Sequence, residues 1–532
     1  MKLLTRSYFT LAAISVAAFL FTTGFAKPNE QYLKSATYYS DEWIVNFWNT
    51  ESDHMDAELQ QIAEDGFNNI ILVIPWREFQ RESGSYNQYA LDKLDQVMNA
   101  AARHGLSVAL RMGYTWDYAP GESATTRVTK LVQNEQMRNQ WFAYLKKVYD
   151  KASTHDNFAG GFTTWEDFWT FTTTAAGYGK TEGSIRIAKL TGYTEYALSH
   201  YTLDELKELY RDQGLTETKI YFPSSASPAR KVFFEWYDSF LMQLLTESQK
   251  YFPDLSFEVR MDGDRIYDTN GSQTYVSHYS TFGAADASYA SAMWSPTMFT
   301  GGGVLTSDQA LLSLKTALKT IHDAGGKKVY LEQMLFTDNT PGFEANAKIR
   351  ESDKASFIKR SSAILKEYGN GYGLWTYRDY ANNKMYNPQF ALGEKGWSFE
   401  KGASVGVIEG SHVAILNKGA SVYSGLADSN GTQNGTKTTI SFTLGSVGAS
   451  GRVRVLLDKG ESRSFAASEQ KDTISYEVDG HPASIRFTSE SGKIYVDNVK
   501  VYNLVTEGEV YHIDGSPASC RDAVRELNAA LK

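Results

Sequence analysis

Between residues 40 and 380 the chain repeats one alternation: a short apolar run, then a longer stretch with apolar residues at helical spacing. Short apolar runs bounded by turn signals fit buried strands, and the longer stretches fit amphipathic helices. "WIVNFW" (Trp43–Trp48) reads as the first strand, and "HMDAELQQIAEDG" after it has helical spacing and a glycine stop. "NNIILVIPW" (Asn68–Trp76), "LSVALRMGY" (Leu106–Tyr114) and "FAGGFTTWED" (Phe158–Asp167) read as strands two to four, with helices over 89–105 and 134–152 between them. A long insert runs to about 232 and a helix follows over 233–251. "LSFEVRMDGD" (Leu255–Asp264), "YASAMWSP" (Tyr289–Pro296), "KKVYLEQM" (Lys327–Met334) and "YGLWTYRDY" (Tyr372–Tyr380) read as strands five to eight, separated by helices over 307–326 and 355–369. Parallel strands need crossover helices, so this rhythm predicts an α/β fold, a (β/α)8 TIM barrel over 27–384. A doubly wound open sheet is the alternative, weakened because no Gly-rich phosphate fingerprint follows the first strand.

Near residue 385 helical periodicity gives way to Gly, Ser, Thr and Val. Alternating runs such as "TTISFTL", "RVRVLL" and "KIYVDNVKVYNL" predict an all-β sandwich domain over 385–506. A tail over 507–532 ends in a short helix, "SCRDAVRELNAALK". At the other end, Lys2 and Arg6 precede the apolar "LAAISVAAFLF" and the small-x-small "GFA", so residues 1–26 read as a signal peptide of a periplasmic or secreted protein. No later segment is apolar enough to cross a membrane. The net charge is −9, and loss of Lys2 and Arg6 makes it more acidic, which does not suit a nucleic-acid or anionic-membrane partner. The single cysteine, Cys520, excludes an internal disulfide and reads as a bystander. Oligomeric state is not legible.

Functional side chains of such barrels gather at the C-terminal ends of the strands. The expected ends carry Trp48, Trp76, Arg111, Trp165 with Glu166 and Asp167, Arg260 with Asp262, Trp294, Glu332 and Trp375. Indole faces beside carboxylates and arginines suit a carbohydrate, whose rings offer apolar C–H faces and hydroxyls together. The expected substrate-binding set is Trp48, Trp76, Arg111, Trp165, Asp167, Asp262, Trp294 and Trp375. Glycosidic cleavage needs two carboxyl groups, and Glu166 and Glu332 end strands four and seven. Trp165, Trp169 and the charge of Asp167 are expected to raise the proton affinity of Glu166. Strand alternation lets only one of Glu166 and Asp167 face the cleft, and Glu166 is the choice. The nine histidines show no metal-binding spacing, and there is no nucleophile elbow or P-loop, so no cofactor is expected for catalysis.

The layout resembles the retaining (β/α)8 glycoside hydrolases of clan A. The resemblance implies an acid/base glutamate after strand four, here Glu166, and a nucleophilic glutamate on strand seven, here Glu332. "PWREFQRESGSYNQYALDKLDQVMNAAARHGLSVALRMG" (Pro75–Gly113) resembles barrel units two and three of the family 35 and 42 β-galactosidases, and "LEQM" around Glu332 is similar to the family 42 nucleophile strand. The clan has Asn before the acid/base residue, where this chain has Trp165, and that departure speaks against a simple β-galactosidase. "NPQFALGEKGW" and "KIYVDNVKVYN" resemble carbohydrate-binding modules of the family 4, 9 and 22 type. That likeness implies a structural calcium, with Asp497 as a candidate ligand and turn capping as its alternative role. The expected function is therefore an exported retaining glycosidase acting on a poly- or oligosaccharide. The rivals are a non-catalytic polysaccharide-binding or export protein, and an inverting glycosidase using Asp167 or Asp262.

Overall fold

The structure, a computed structural model, describes residues 31–531 except 52–53, 118, 260–263, 277, 279–280, 282–285, 297–301, 337–345, 427–436 and 459. The leader over 1–26, Arg260 and Asp262 lie outside the described residues.

Eight parallel strands close a barrel in sequence order. They are β1 (Leu33–Thr37), β2 (Asn69–Pro75), β3 (Ser107–Tyr114), β4 (Phe158–Thr164), β5 (Ser256–Val259), β6 (Ala290–Trp294), β7 (Val329–Leu335) and β8 (Gly369–Trp375). The first strand is not "WIVNFW". That run forms a one-turn helix, Ile44–Phe47, and the strand is the less apolar "LKSAT" upstream. Ser35 looks inward, where its hydroxyl shares a hydrogen bond of 2.8 Å with that of Tyr330 and accepts from the Asn69 amide at 2.9 Å, while Lys34 reaches outward to the Asn528 carbonyl at 3.2 Å. A strand whose polar groups are satisfied inside a barrel carries little apolar signal, while a short apolar run fits a buried helix as well as a strand.

Leu33, Ile71, Ala109, Ala159, Phe162, Tyr289 and Tyr330 fill the lower interior of the barrel. The larger core lies between the strands and the surrounding helices. Side chains alternate along a strand. Two residues beyond Ala109 comes Arg111, beyond Phe162 comes Thr164, and beyond Tyr330 comes Glu332. Phe257 stacks outward on Phe168 at 6.1 Å, so Glu258 next to it faces inward. The interior thus changes from uncharged side chains below to charged ones at the C-terminal mouth.

The insert after β4 is helical: Thr170–Gly177, Glu182–Leu190, Tyr193–His200 and Leu203–Tyr210. Tyr193 stacks on Phe222 at 5.1 Å and meets Trp236 of the helix Arg230–Ser248 edge-on at 5.4 Å. The C-terminal helix Arg521–Ala530 returns to the barrel. There Asn528 is fully buried, accepts from the Tyr372 hydroxyl at 2.6 Å and donates to the Asp65 carbonyl at 2.9 Å. Among the described residues no helix is long and apolar enough to cross a membrane.

After β8 the chain enters two antiparallel sheets, of six and five strands, around a core that includes Phe442, Val455, Phe487 and Val496. The six-stranded sheet already includes Tyr380–Asn383, which pairs with Ile494–Val505. The sheets are therefore anchored to the barrel exit ahead of residue 385. Asn46 donates to the Met385 carbonyl at 2.8 Å, the Asn387 N–H donates to Asn49 at 3.0 Å, and the Tyr386 hydroxyl donates to Glu78 at 3.0 Å.

Candidate active site

Strand β4 ends at Thr164, and Glu166 and Asp167 stand on a one-turn helix, Trp165–Phe168. Thr164 caps that turn by accepting from the Asp167 N–H at 3.4 Å. Strand alternation therefore does not separate the two carboxylates; a helical turn does. Asp167 points back into the barrel and is fully buried. It accepts from the Thr164 hydroxyl at 2.6 Å, the Thr115 N–H at 3.1 Å and Arg111 Nη2 at 3.2 Å. Glu166 stays at the rim, its side chain 28% exposed, and accepts from the same Arg111 Nη2 at 3.0 Å.

Arg111 is the hub. Burial opposes its charge, but Asp167, Glu166 and Glu332 together hold the guanidinium well above its ordinary pKa. Burial pushes the Asp167 carboxyl upward, against the pull of Arg111 and the Thr164 hydroxyl. Asp167 is thus a brace inside the protein, and the structure removes it from the groups facing a substrate.

Glu332 is buried on β7 at an irregularity of the barrel. Pairing with β6 slips between Leu331 and Gln333, and pairing with β8 slips between Leu331 and Met334. A bulge of this kind re-aims a side chain. It needs Gly373 opposite, because a Cβ there would stand 2.2 Å from the Glu332 carbonyl oxygen.

The tryptophans divide. Trp48 donates to the Val73 carbonyl at 2.7 Å and packs edge-on against Phe79. Trp76 donates to Gln80 at 2.9 Å and packs on Trp141. Trp294 donates to Ser313 at 3.2 Å and stacks on Phe357. All three are buried with satisfied indole nitrogens. They pack strand ends against helices and are core residues, not sugar platforms, because their rings face the helical layer. Trp165 is also buried, turned from the mouth and stacked on His278 at 3.8 Å. It is not placed to read a sugar hydroxyl. Trp375 remains at the mouth, half-buried, with Trp43 edge-on at 6.2 Å. Trp43 in turn meets Tyr114 at 6.5 Å, and the Arg111 guanidinium lies 5.1 Å from the Tyr114 ring centroid. This aromatic run was not legible in the sequence, since it joins a helix flank to the ends of β3 and β8. Glu258 was also missed, although "SFEV" places it two residues from an inward serine.

Beside the Glu166 turn lies a buried cluster that no sequence motif announces. His278 Nδ1 bonds Asp238 at 2.8 Å and Nε2 bonds Asp264 at 3.1 Å. Burial works against the imidazolium, but the two aspartates raise the His278 pKa to about 9. Asp238 comes from the helix Arg230–Ser248, Asp264 from the strand Asp264–Tyr267, and Arg230 acts on Asp264 from the same helix as Asp238. The folded pKa lies above the unfolded one, so the stabilisation is complete below about 6.5 and is lost as pH rises through about 9. A shift of this size corresponds to roughly 3 kcal/mol. Urea unfolding of wild type and His278→Gln should therefore show a stability gap at pH 7 that shrinks by pH 10. Lys93, lowered to about 7 by burial, changes wild-type stability in the opposite sense over that range but cancels in the comparison. A gap that does not change with pH would show that His278 is neutral.

Among the described residues no three His, Cys, Asp or Glu side chains are grouped to hold a metal. Asp497 accepts from the Asn498 N–H at 2.7 Å, and burial raises its carboxyl to about 7, with the charges of Glu51, Lys471 and His412 also acting on it. The Cys520 thiol is buried and pushed up to about 12, well away from a reactive thiolate.

No family model and no curated protein matches the sequence. Solved structures do. The exo-β-1,4-mannosidase Op5Man5 from Opitutaceae bacterium strain TAV5 is 13% identical with a TM-score of 0.39, over 68% of this chain and 55% of its own. The cold-adapted β-galactosidase from Rahnella sp. R3 is 14% identical with a TM-score of 0.46, over 67% of this chain and 52% of its own. GH5_18 from Streptomyces cattleya, solved with GlcNAc, is 13% identical with a TM-score of 0.41, over 66% of this chain and 72% of its own. The chain thus spans about half the length of the mannosidase and the galactosidase.

Proposed function

We propose that this chain is an exported glycoside hydrolase that cleaves its substrate with retention of configuration. Glu332 attacks the anomeric carbon while Glu166 protonates the departing oxygen. Glu166 then takes a proton from water, and that water releases the sugar from Glu332. The observation that carries this reading is the Arg111 hub: one buried guanidinium bonds Glu166 directly and feels the charge of Glu332, at the mouth of a closed parallel barrel. Arg111 orients the first carboxyl, and the β7 bulge with Gly373 aims the second. Asp167, fully buried and bonded on both oxygens, is not presented to a water that it could activate for an inverting reaction. Trp375, half-buried at the mouth and backed by the buried Trp43, offers the apolar face that a pyranose ring needs.

The test is a screen of soluble polysaccharides and aryl glycosides, with the anomeric form of the first product followed by NMR. The reading expects a retained anomer from at least one substrate. An inverted product would overturn the mechanism, and no turnover of any glycoside would overturn the activity.

A further inference from the structure

The cluster of Asp238, His278 and Asp264 is costly to bury, and replacing such charges with apolar groups is often neutral or stabilising. Its contacts show what it holds. His278 presses on the buried ring of Trp165, and the second oxygen of Asp264 accepts from the indole nitrogen of Trp169 at 3.0 Å. Both tryptophans flank Glu166 on the same short turn. The Trp169 N–H donates to the Glu166 carbonyl at 3.3 Å, and side chains three apart on a helical turn share a face.

Trp169 differs from the buried indoles of the barrel: it is 40% exposed. Its only polar atom is already bonded, so what it offers outward is apolar ring surface. Folding alone would favour covering that ring. Instead Asp264 fixes the rim side of the indole, and Asp264 is itself fixed through His278 to Asp238. An exposed indole locked in one orientation loses little freedom on binding, and its face matches the C–H face of a pyranose.

We infer that Trp169 is a preset stacking platform for a sugar unit on the leaving-group side of Glu166, oriented by the chain Asp238–His278–Asp264. The inference rests on the glycosidase reading, since the leaving-group side is defined by Glu166 acting as the acid. It places the substrate class as an oligosaccharide or polysaccharide with a sugar, not a small aglycone, beyond the cleaved bond.

Affinity electrophoresis tests it, using the full-length protein in native gels that contain soluble galactan, mannan, xylan or β-glucan. Wild type should be retarded by at least one of these polymers. Trp169→Ala should weaken that retardation roughly tenfold, and Trp169→Phe should keep most of it, because an aromatic face remains. Retardation of Trp169→Ala equal to wild type would overturn the platform. So would equal losses in Trp169→Ala and Trp169→Phe, which would assign the effect to the indole N–H and its scaffold. Wild type that is retarded in a Trp169-dependent way but cleaves nothing would sink the hydrolase and keep the sugar platform. Wild type that cleaves a polymer with no dependence on Trp169 would do the reverse.

Discussion

Glu332→Gln should lower turnover of the responsive glycoside at least about a thousandfold and leave the fold and its sugar binding in place. The substitution is nearly isosteric, so the β7 bulge and the close approach of Gly373 are undisturbed. Removing one negative charge near Arg111 still leaves Glu166 and Asp167 in direct contact with the guanidinium, so the charge balance of the mouth survives. What disappears is the negative charge that makes the carboxylate oxygen a nucleophile toward the anomeric carbon, and the neutral amide does not replace it. The informative pattern is a split: kcat collapses, while retardation in a polysaccharide gel stays close to wild type. If the variant turned over substrate at the wild-type rate, Glu332 would not be the nucleophile. Glu258, buried and facing inward on the neighbouring wall of the barrel, would then be the next carboxylate to replace.

The barrel rhythm was legible because parallel strands buried on both sides are apolar along their whole length, as "NIILVIP" of β2 is. The rhythm misled where burial and polarity part company. "LKSAT" hides its strand because Ser35 is satisfied by Tyr330 inside the barrel, and "WIVNFW" is buried as a helix. At the site, residue type and strand position pointed to Arg111, Glu166 and Glu332, and the structure places Glu166 against Arg111 with the charge of Glu332 acting on the same guanidinium. They did not separate Trp375, which lines the mouth, from Trp48, Trp76 and Trp294, which face the helices. A tryptophan near a strand end has the same sequence signature on either side. Nor could they find the His278 cluster, whose three members come from a helix, a hairpin strand and a loop and meet only in space.

Arg111→Met should destabilise the protein by roughly 3–5 kcal/mol at neutral pH and abolish activity with it. The guanidinium bonds Asp167, Thr164 and Glu166 from a buried position. Methionine fills much of the volume, so little of the cost comes from packing. The cost arises because Asp167 is left as a buried carboxylate whose remaining partners are neutral donors. That assignment has a pH signature. Without Arg111, the already raised Asp167 carboxyl escapes the penalty by taking up a proton, so the variant should recover part of its lost stability as the solution is made acidic. Urea unfolding of wild type and variant at pH 4.5 and pH 7 reads the difference directly. A second variant separates the charge from the scaffold. Arg111→Met combined with Asp167→Asn removes both buried charges and should be markedly more stable at pH 7 than Arg111→Met alone, while remaining inactive because Glu166 has lost its anchor. If the double variant were no more stable than the single one, the loss would lie in packing around Thr164 and Thr115, and Asp167 would already be neutral in the wild type.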